Sequence, residues 1–278
     1  MTALLPDRGA LRTRLDESAW AAAWSAADEP PVPDWARPRT GDAAAWSDAT
    51  AAPDGDLVDA LATRHRAVLT VDVATVGGRV GVLGELSTDL TTVLGVVRRL
   101  HVPEGGSPSA ASGLPGVEVD LTTPEHLVEE VLRLLPPAPD PSGPDGLAEV
   151  ELVEEHTVAF GRALRTGDRQ TVDAVCSDNG WSTPPEVLLA LVLELRGSAV
   201  VTIRRHGAGP LIGQWMLTRR GYVELVRTPR ATVRHVPRSG EDIARTLLTA
   251  LTGAVSAVLA DAAVGAGPTT EDGGGTDG

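Results

Sequence analysis

From residue 57 to residue 137 the spacing of apolar positions changes period several times, and each change marks an element. A helical spacing over Asp56–Arg66 gives way to AVLTVDVATV (67–76), where branched residues alternate as in a strand. Gly77-Gly78 then reads as a two-residue hairpin turn into RVGVLGEL, and TTVLGVVRRLHV (91–102) as a third strand. After the loose stretch PEGGSPSAASGLPG comes a fourth strand, GVEVDLT (116–122), and a helix opened by Thr123-Pro124.

The same order recurs downstream. Thr183-Pro184-Pro185-Glu186 has the spacing of a capping box opening the helix EVLLALVLELR, whose apolar residues lie nearly all round, as in a buried helix. SAVVTIRR (198–205), a HGAGP turn, LIGQWMLTR (211–219), a turn at Arg220-Gly221, YVELVRTP (222–229) and ATVRHVP (231–237) follow, then a long helix opened near Ser239. ALATRHRAVLTVDVATVGG aligns with ALVLELRGSAVVTIRRHGAG, and VEVDLTTPEHLVEEVLRLL with TVRHVPRSGEDIARTLLTAL, the pattern of a duplicated unit. Hairpin connections require antiparallel pairing. The expected fold is therefore α+β: two pseudo-symmetric halves, each with antiparallel strands flanked by helices, around a central sheet.

The remaining segments set boundaries. Residues 1–56 lack long periodicity, with EPPVPDWARP and TAAPDGD breaking them, and hold a short helix near Glu17–Ala27 that puts Trp20 and Trp24 on one face. Residues 57–137 form the N-terminal half, 138–146 a Pro-rich linker, 147–264 the C-terminal half with two inserted helices, and 265–278 a disordered acidic tail.

Composition narrows the chemistry. All 24 basic residues are Arg, the lone Cys176 leaves no disulfide, and the N-terminus lacks a signal-peptide core, so the chain reads as cytoplasmic. Its net charge of -14 is uneven: residues 181–264 carry 10 Arg against 6 acids. No G-x-S-x-G, no H-E-x-x-H and no phosphate-binding Gly motif occurs, and the six His stand apart. Neither a cofactor nor a metal site is expected. Lone carboxylates such as Asp72, Glu118 and Asp120 leave an enzyme of unfamiliar type as one alternative; a non-catalytic regulatory binding protein is another. A nucleic-acid surface would need a basic domain with interleaved aromatics, and only Trp215 and Tyr222 are placed for that.

The pattern GQWMLTRRGYVELVRTPRATVRHVPRSGEDIARTLLTAL, with VDLTTPEHLVEEVLRLLPP and DAVCSDNGWSTPPEVLLALVLELRGSAVVTI, resembles the EspG family over residues 57–264. The resemblance implies an actinobacterial, cytosolic chaperone of a type VII (ESX) secretion system, without enzymatic activity. Such a protein binds a PE-PPE-type or other helical substrate, keeps it soluble and directs it to export. The hairpin at Gly77-Gly78 is shorter than the partner-contacting loop family members can carry. Charge and position, rather than family motifs, nominate Arg204, Arg205, Trp215, Met216, Arg219 and Arg220 as partner-binding residues. Its period-two spacing with Leu211 and Leu217 fits a core position for Trp215 equally well. No nucleic acid and no membrane insertion are expected, and the free protein is expected to be a monomer or weak homodimer.

Overall fold

The computed structural model describes residues 11–39, 55–103, 111–137, 146–205 and 207–265. The acidic tail from 266, the linker at 138–145 and His206 of the HGAGP turn lie outside the described residues.

The strands that the alternation marks all form: β2 (Leu69–Gly77), β3 (Val80–Thr88), β4 (Val93–His101), β6 (Val117–Thr122), β8 (Leu195–Arg205), β9 (Leu211–Thr218), β10 (Gly221–Arg227) and β11 (Thr232–Arg238). Three short ones join them: β1 (Leu11–Leu15), β5 (Ser112–Gly113) and β7 (Val150–Val153). All pairings are antiparallel in one sheet of order β1-β6-β4-β3-β2-β8-β9-β10-β11-β7, with β5 beside β4. Thus the segment read as an N-terminal extension enters the sheet, with Leu11 opposite Leu121 and Leu15 opposite Val117.

The helices are α1 (Glu17–Ala26), α2 (Gly55–Ala62), α3 (Leu127–Leu134), α4 (Glu154–Thr166), α5 (Arg169–Asp178), α6 (Glu186–Leu193) and α7 (Gly240–Gly265). Local chemistry sets several starts. Asp16 accepts the Ala19 amide at 2.8 Å to cap α1. Ser239 and Asp242 exchange side-chain-to-backbone hydrogen bonds at 3.0 Å to open α7. The capping box at Thr183 is not made: Pro185 occupies the N-cap of α6 without a side-chain bond. A residue before proline is disfavoured from helical geometry, so Pro184 and Pro185 hold Thr183 and Pro184 out of the helix. Two turns sit one residue away from the expected places. Gly77 pairs with Val80, leaving Gly78-Arg79 as the turn with Gly78 at φ +61. Gly221 pairs with Thr218, leaving Arg219-Arg220, where the Thr218 hydroxyl accepts the Arg220 amide at 3.1 Å.

The two faces of the sheet are covered differently. On one face α3 and α7 lie over the centre, enclosing Val71, Val73, Val201, Ile203, Trp215 and Leu217. On the other, α1 and α2 cover β4 and β6 through Trp20, Leu61, Leu94 and Val119, while α4–α6 cover β7 and β10 through Phe160, Val187, Leu152 and Val223. By length and composition α7 could cross a membrane, yet Ile243, Leu247, Leu251 and Ala254 are buried against the sheet, as in a helix that covers a core. Buried α6 residues are Val187, Leu188 and Ala190; contrary to the all-round pattern, Leu193 is exposed.

The N-terminal segment is fastened by a buried ion pair. Arg98 of β4 is 1% exposed and Glu17 of α1 is 5% exposed. Glu17 accepts from Arg98, from the Gly116 amide at 3.0 Å and from the Arg39 amide at 3.2 Å. Burial alone would raise the Glu17 carboxyl, but these donors together hold it below its ordinary range. Glu17→Ala strands the Arg98 cation and should cost about 3–5 kcal/mol in urea unfolding. Its depressed pKa contributes stability above the ordinary carboxylate range that fades as pH falls through the folded value, so the loss should shrink in acid. A loss under about 0.5 kcal/mol, within the surface-substitution range, would contradict this role.

Candidate functional site: the uncovered strip of the sheet

Between the two helical groups on the second face, the middle strands carry no helix over part of their length. Register fixes which side chains stand there. Asp72, Thr202 and Ile212 form one row across β2, β8 and β9; Ala74, Val200 and Gln214 the next; Val76, Ser198 and Met216 a third. None of these nine is buried, and Ile212 is 66% exposed. Their neighbours one position along, on the α3/α7 face, are the core residues Val71, Val73, Ala199 and Val201. Strict alternation therefore produces a fully packed face and a half-apolar open one from the same strands.

Charge on the strip is internally paired. Glu85 stands opposite Asp72 across β2 and β3, a like-charge pair that alone would be unfavourable. Arg64 grips Glu85 with two bonds of 2.7 and 3.3 Å, and Arg204 lies 2.6 Å from Asp72. Burial pushes both the Asp72 and Glu85 carboxyls above their ordinary range, more than the two arginines offset. The quartet is formally neutral when all four groups are ionised.

The six nominated residues do not converge. Arg204 and Met216 stand on the open strip, Met216 half-buried. Arg205 points to the opposite face and pairs with Asp261 of α7. Trp215 is 1% exposed and belongs to the core beneath α7, so its core reading holds and it offers no contact surface. Gly213 makes room for it, since a Cβ there would meet the indole at 2.3 Å. Arg220, at the β9–β10 turn, pairs with Glu194 at 3.1 Å and Glu186 at 3.0 Å, tying the turn to α6; Arg219 is exposed. Ala74, Val200 and Ile212 were not singled out in the sequence, although their alternation with Val73, Val201 and Leu211 carried the signal.

Two of the carboxylates weighed above as catalytic candidates, Glu118 and Asp120, sit in one ion-pair cluster. Asp120, with no side-chain exposure, pairs with Arg12 at 2.5 Å and with Arg133, and both arginines also hold Glu118 and Glu130. This cluster ties the edge strand β1 to α3. Burial, beyond what the arginines offset, pushes the Asp120 carboxyl up to about 6. Cys176 is buried in the α4–α6 core, and burial pushes its thiol up, away from a reactive thiolate. Among the described residues no group of three or more His, Cys, Asp or Glu could hold a metal ion. The hollow of about 560 Å³ along α4 and α5 is lined by Val158, Ala159, Arg162 and capping Asp168, which accepts Thr171 hydrogen bonds. No protein-family model matches the chain, and no curated protein matches it.

Asp120 supplies a pH test. A folded-state pKa above the unfolded value contributes stability that is complete below the unfolded pKa and is lost as pH rises through about 6. Carboxyl NMR should find Asp120 titrating near 6, and the parent should lose stability relative to Asp120→Asn between pH 4 and pH 7 by roughly 2–3 kcal/mol. Titration at the ordinary aspartate pKa, with no such difference, would contradict the burial argument.

Proposed function

We propose that this chain is an EspG-like cytosolic chaperone that binds a PE-PPE-type or other helical substrate of a type VII secretion system, keeps it soluble and targets it for export. The observation that carries the reading is the uncovered strip over β2, β8 and β9. Four strands from β3 to β9 span about 14 Å, at roughly 4.8 Å per step. A helix is about 10–12 Å across with its side chains, so the strip accommodates the end of a helical hairpin. An apolar tip docking there covers Ile212, Val200, Ala74 and Met216. It meets Asp72 and Glu85 already paired with Arg204 and Arg64, so no unmatched charge is buried. A client with an exposed apolar end would otherwise aggregate, and covering it is the task of a dedicated chaperone. No reacting group is needed for this, and the reading assigns the chain no catalysis.

The strand order also supports a duplicated architecture. Outward from the centre the halves run β2-β3-β4-β6-β1 and β8-β9-β10-β11-β7. In each, the strand earliest in sequence returns to the outer edge beside the last, and the closing helix, α3 or α7, lies on the same face. We read them as two copies of one unit, with the client surface at their junction.

Affinity capture of the tagged full chain from its own organism's cytosol, with mass spectrometry, tests the function. The parent should recover a helical secretion substrate in fixed stoichiometry. Ile212→Glu should reduce recovery at least tenfold, equivalent to about 1.4 kcal/mol, with circular dichroism unchanged. Val158→Glu, on the outer side of α4, should recover it normally. Recovery of no such substrate refutes the chaperone role, and equal recovery by Ile212→Glu refutes the location.

A further inference from the structure

The alternation of β8 is broken once, and the break lies at one end of the open strip. Ala199 pairs with Trp215 on the packed face, Ser198 with Met216 on the strip, and Gly197 with Leu217 on the packed face; the next pair is Leu195 with Thr218, so Arg196 is an extra residue, a β-bulge. Without the bulge, Leu195 would follow Gly197, Ala199 and Val201 onto the side of α3 and α7. With it, Leu195 shares the side of Thr218 and Met216, and the strip gains a fourth row beyond Val76, Ser198 and Met216. Leu195 is 50% exposed there, and Leu193, at the end of α6 just before it, 67%. Backbone bonds fix this end: the Gly78 amide donates to the Arg196 carbonyl at 3.2 Å, and the Arg219 amide to the Glu194 carbonyl at 3.1 Å.

Charge distinguishes this end from the middle of the strip. Seven of the ten arginines in residues 181–264 are paired with carboxylates. The other three, Arg196, Arg219 and Arg230, are exposed and form no ion pair among the described residues. Arg230 stands alone in the turn after β10, at the opposite end of the sheet. Arg196 and Arg219 instead flank the Leu195–Thr218 pair, one on the bulge and one in the β9–β10 turn. The acids nearby, Glu186 and Glu194, are both engaged by Arg220. Two unmatched cations thus stand beside two exposed leucines on a chain of net charge -14.

We propose that this end of the strip selects the client by charge: it takes a helical end on which a carboxylate stands beside an apolar side chain, the apolar group against Leu195 and Met216 and the carboxylate against Arg196 and Arg219. The inference rests on the client-binding reading and specifies the partner's chemistry. Four rows about 6.8 Å apart span about 20 Å, room for both helices of a hairpin whose axes pack 8–10 Å apart. One helix covers the rows of Ile212 and Ala74, where the charges are already matched, and the other reaches the basic end. A guanidinium fork binds a carboxylate with two parallel hydrogen bonds, so an acidic client gains there what a neutral or basic one does not. An anionic lipid surface offers the same charge, but a protein of this net charge is repelled from it as a whole.

Quantitative capture by the tagged full chain from its own organism's cytosol, at graded salt, tests the proposal. The double variant Arg196→Glu/Arg219→Glu should recover the helical substrate about tenfold less well than the parent at low salt, and the difference should shrink as salt rises. Arg196→Gln/Arg219→Gln, which removes the charge and keeps polar side chains, should lose less. Arg230→Glu, the same reversal at the far end of the sheet, should recover the parent's amount, with circular dichroism unchanged in all three. Reversing the acidic residues at the client's apolar end to Arg should restore recovery by the double Glu variant. Full recovery by the double Glu variant while Ile212→Glu loses the client overturns this proposal and leaves the client-binding reading standing. So does an equal loss with Arg230→Glu, or sedimentation of the parent, but not of the double Glu variant, with phosphatidylglycerol vesicles. Recovery of no helical substrate by the parent overturns both.

Discussion

The antiparallel pairing of β2 with β8 is the interaction on which the rest of the molecule depends. It runs without interruption from Leu69 opposite Arg205 to Gly77 opposite Gly197. Before it forms there are two four-stranded meanders with edges of exposed backbone donors and acceptors; after it there is one sheet. The chain between these strands exceeds 100 residues, so the pairing bears a large loop-closure entropy and must be repaid by burial. That burial comes from the α3/α7 face, where Val71, Val73, Val201 and Ile203 share one core with both helices. The core draws on strands from both sides of this pairing and on both helices.

The same pairing determines which side chains stand on the open strip. Because side chains alternate, the strands that place their largest apolar residues under α3 and α7 must place Asp72, Ala74, Val76, Val200 and Thr202 on the opposite side. The helices there are anchored to the outer strands, α1 and α2 over β4 and β6, α4–α6 over β7 and β10. The β2–β8–β9 strip between these two groups of helices consequently keeps Ala74 and Ile212 exposed. The strip is apolar in patches, and its charges are paired with one another, Asp72 with Arg204 and Glu85 with Arg64, which is the feature the proposed client docking rests on.

Most of this could be read from the chain because the central strands are buried on one side, and burial imposes alternation. β1, β5 and β7 escaped notice for the opposite reason. They are short edge strands whose polar residues, Arg12 and Arg14 or Glu151, are satisfied by cross-strand ion pairs and solvent, so no apolar period betrays them. The turns shifted by one residue because register is decided across the whole hairpin: Gly77 and Gly221 are ladder residues, although each looks locally like part of a turn. The site residues were the least legible. Arg204 and Arg205 are adjacent in sequence and therefore on opposite faces, and Trp215, exposed by no local feature of its strand, fills a core that only the packing of α7 creates. A cluster of arginines in sequence becomes four separate structural ties in space, to Asp72, Asp261, Glu194 and Glu186.

Site-specific photo-crosslinking in cells of the native organism addresses the central claim most directly. A photoreactive amino acid is placed at position 212 on the uncovered strip and, in a parallel strain, at position 158 on the outer side of α4. If the junction of the halves is the client surface, position 212 should crosslink to a helical secretion substrate and position 158 should not. A substrate crosslink at 158 with none at 212, or none at either position while the secretion system is expressed, would contradict it.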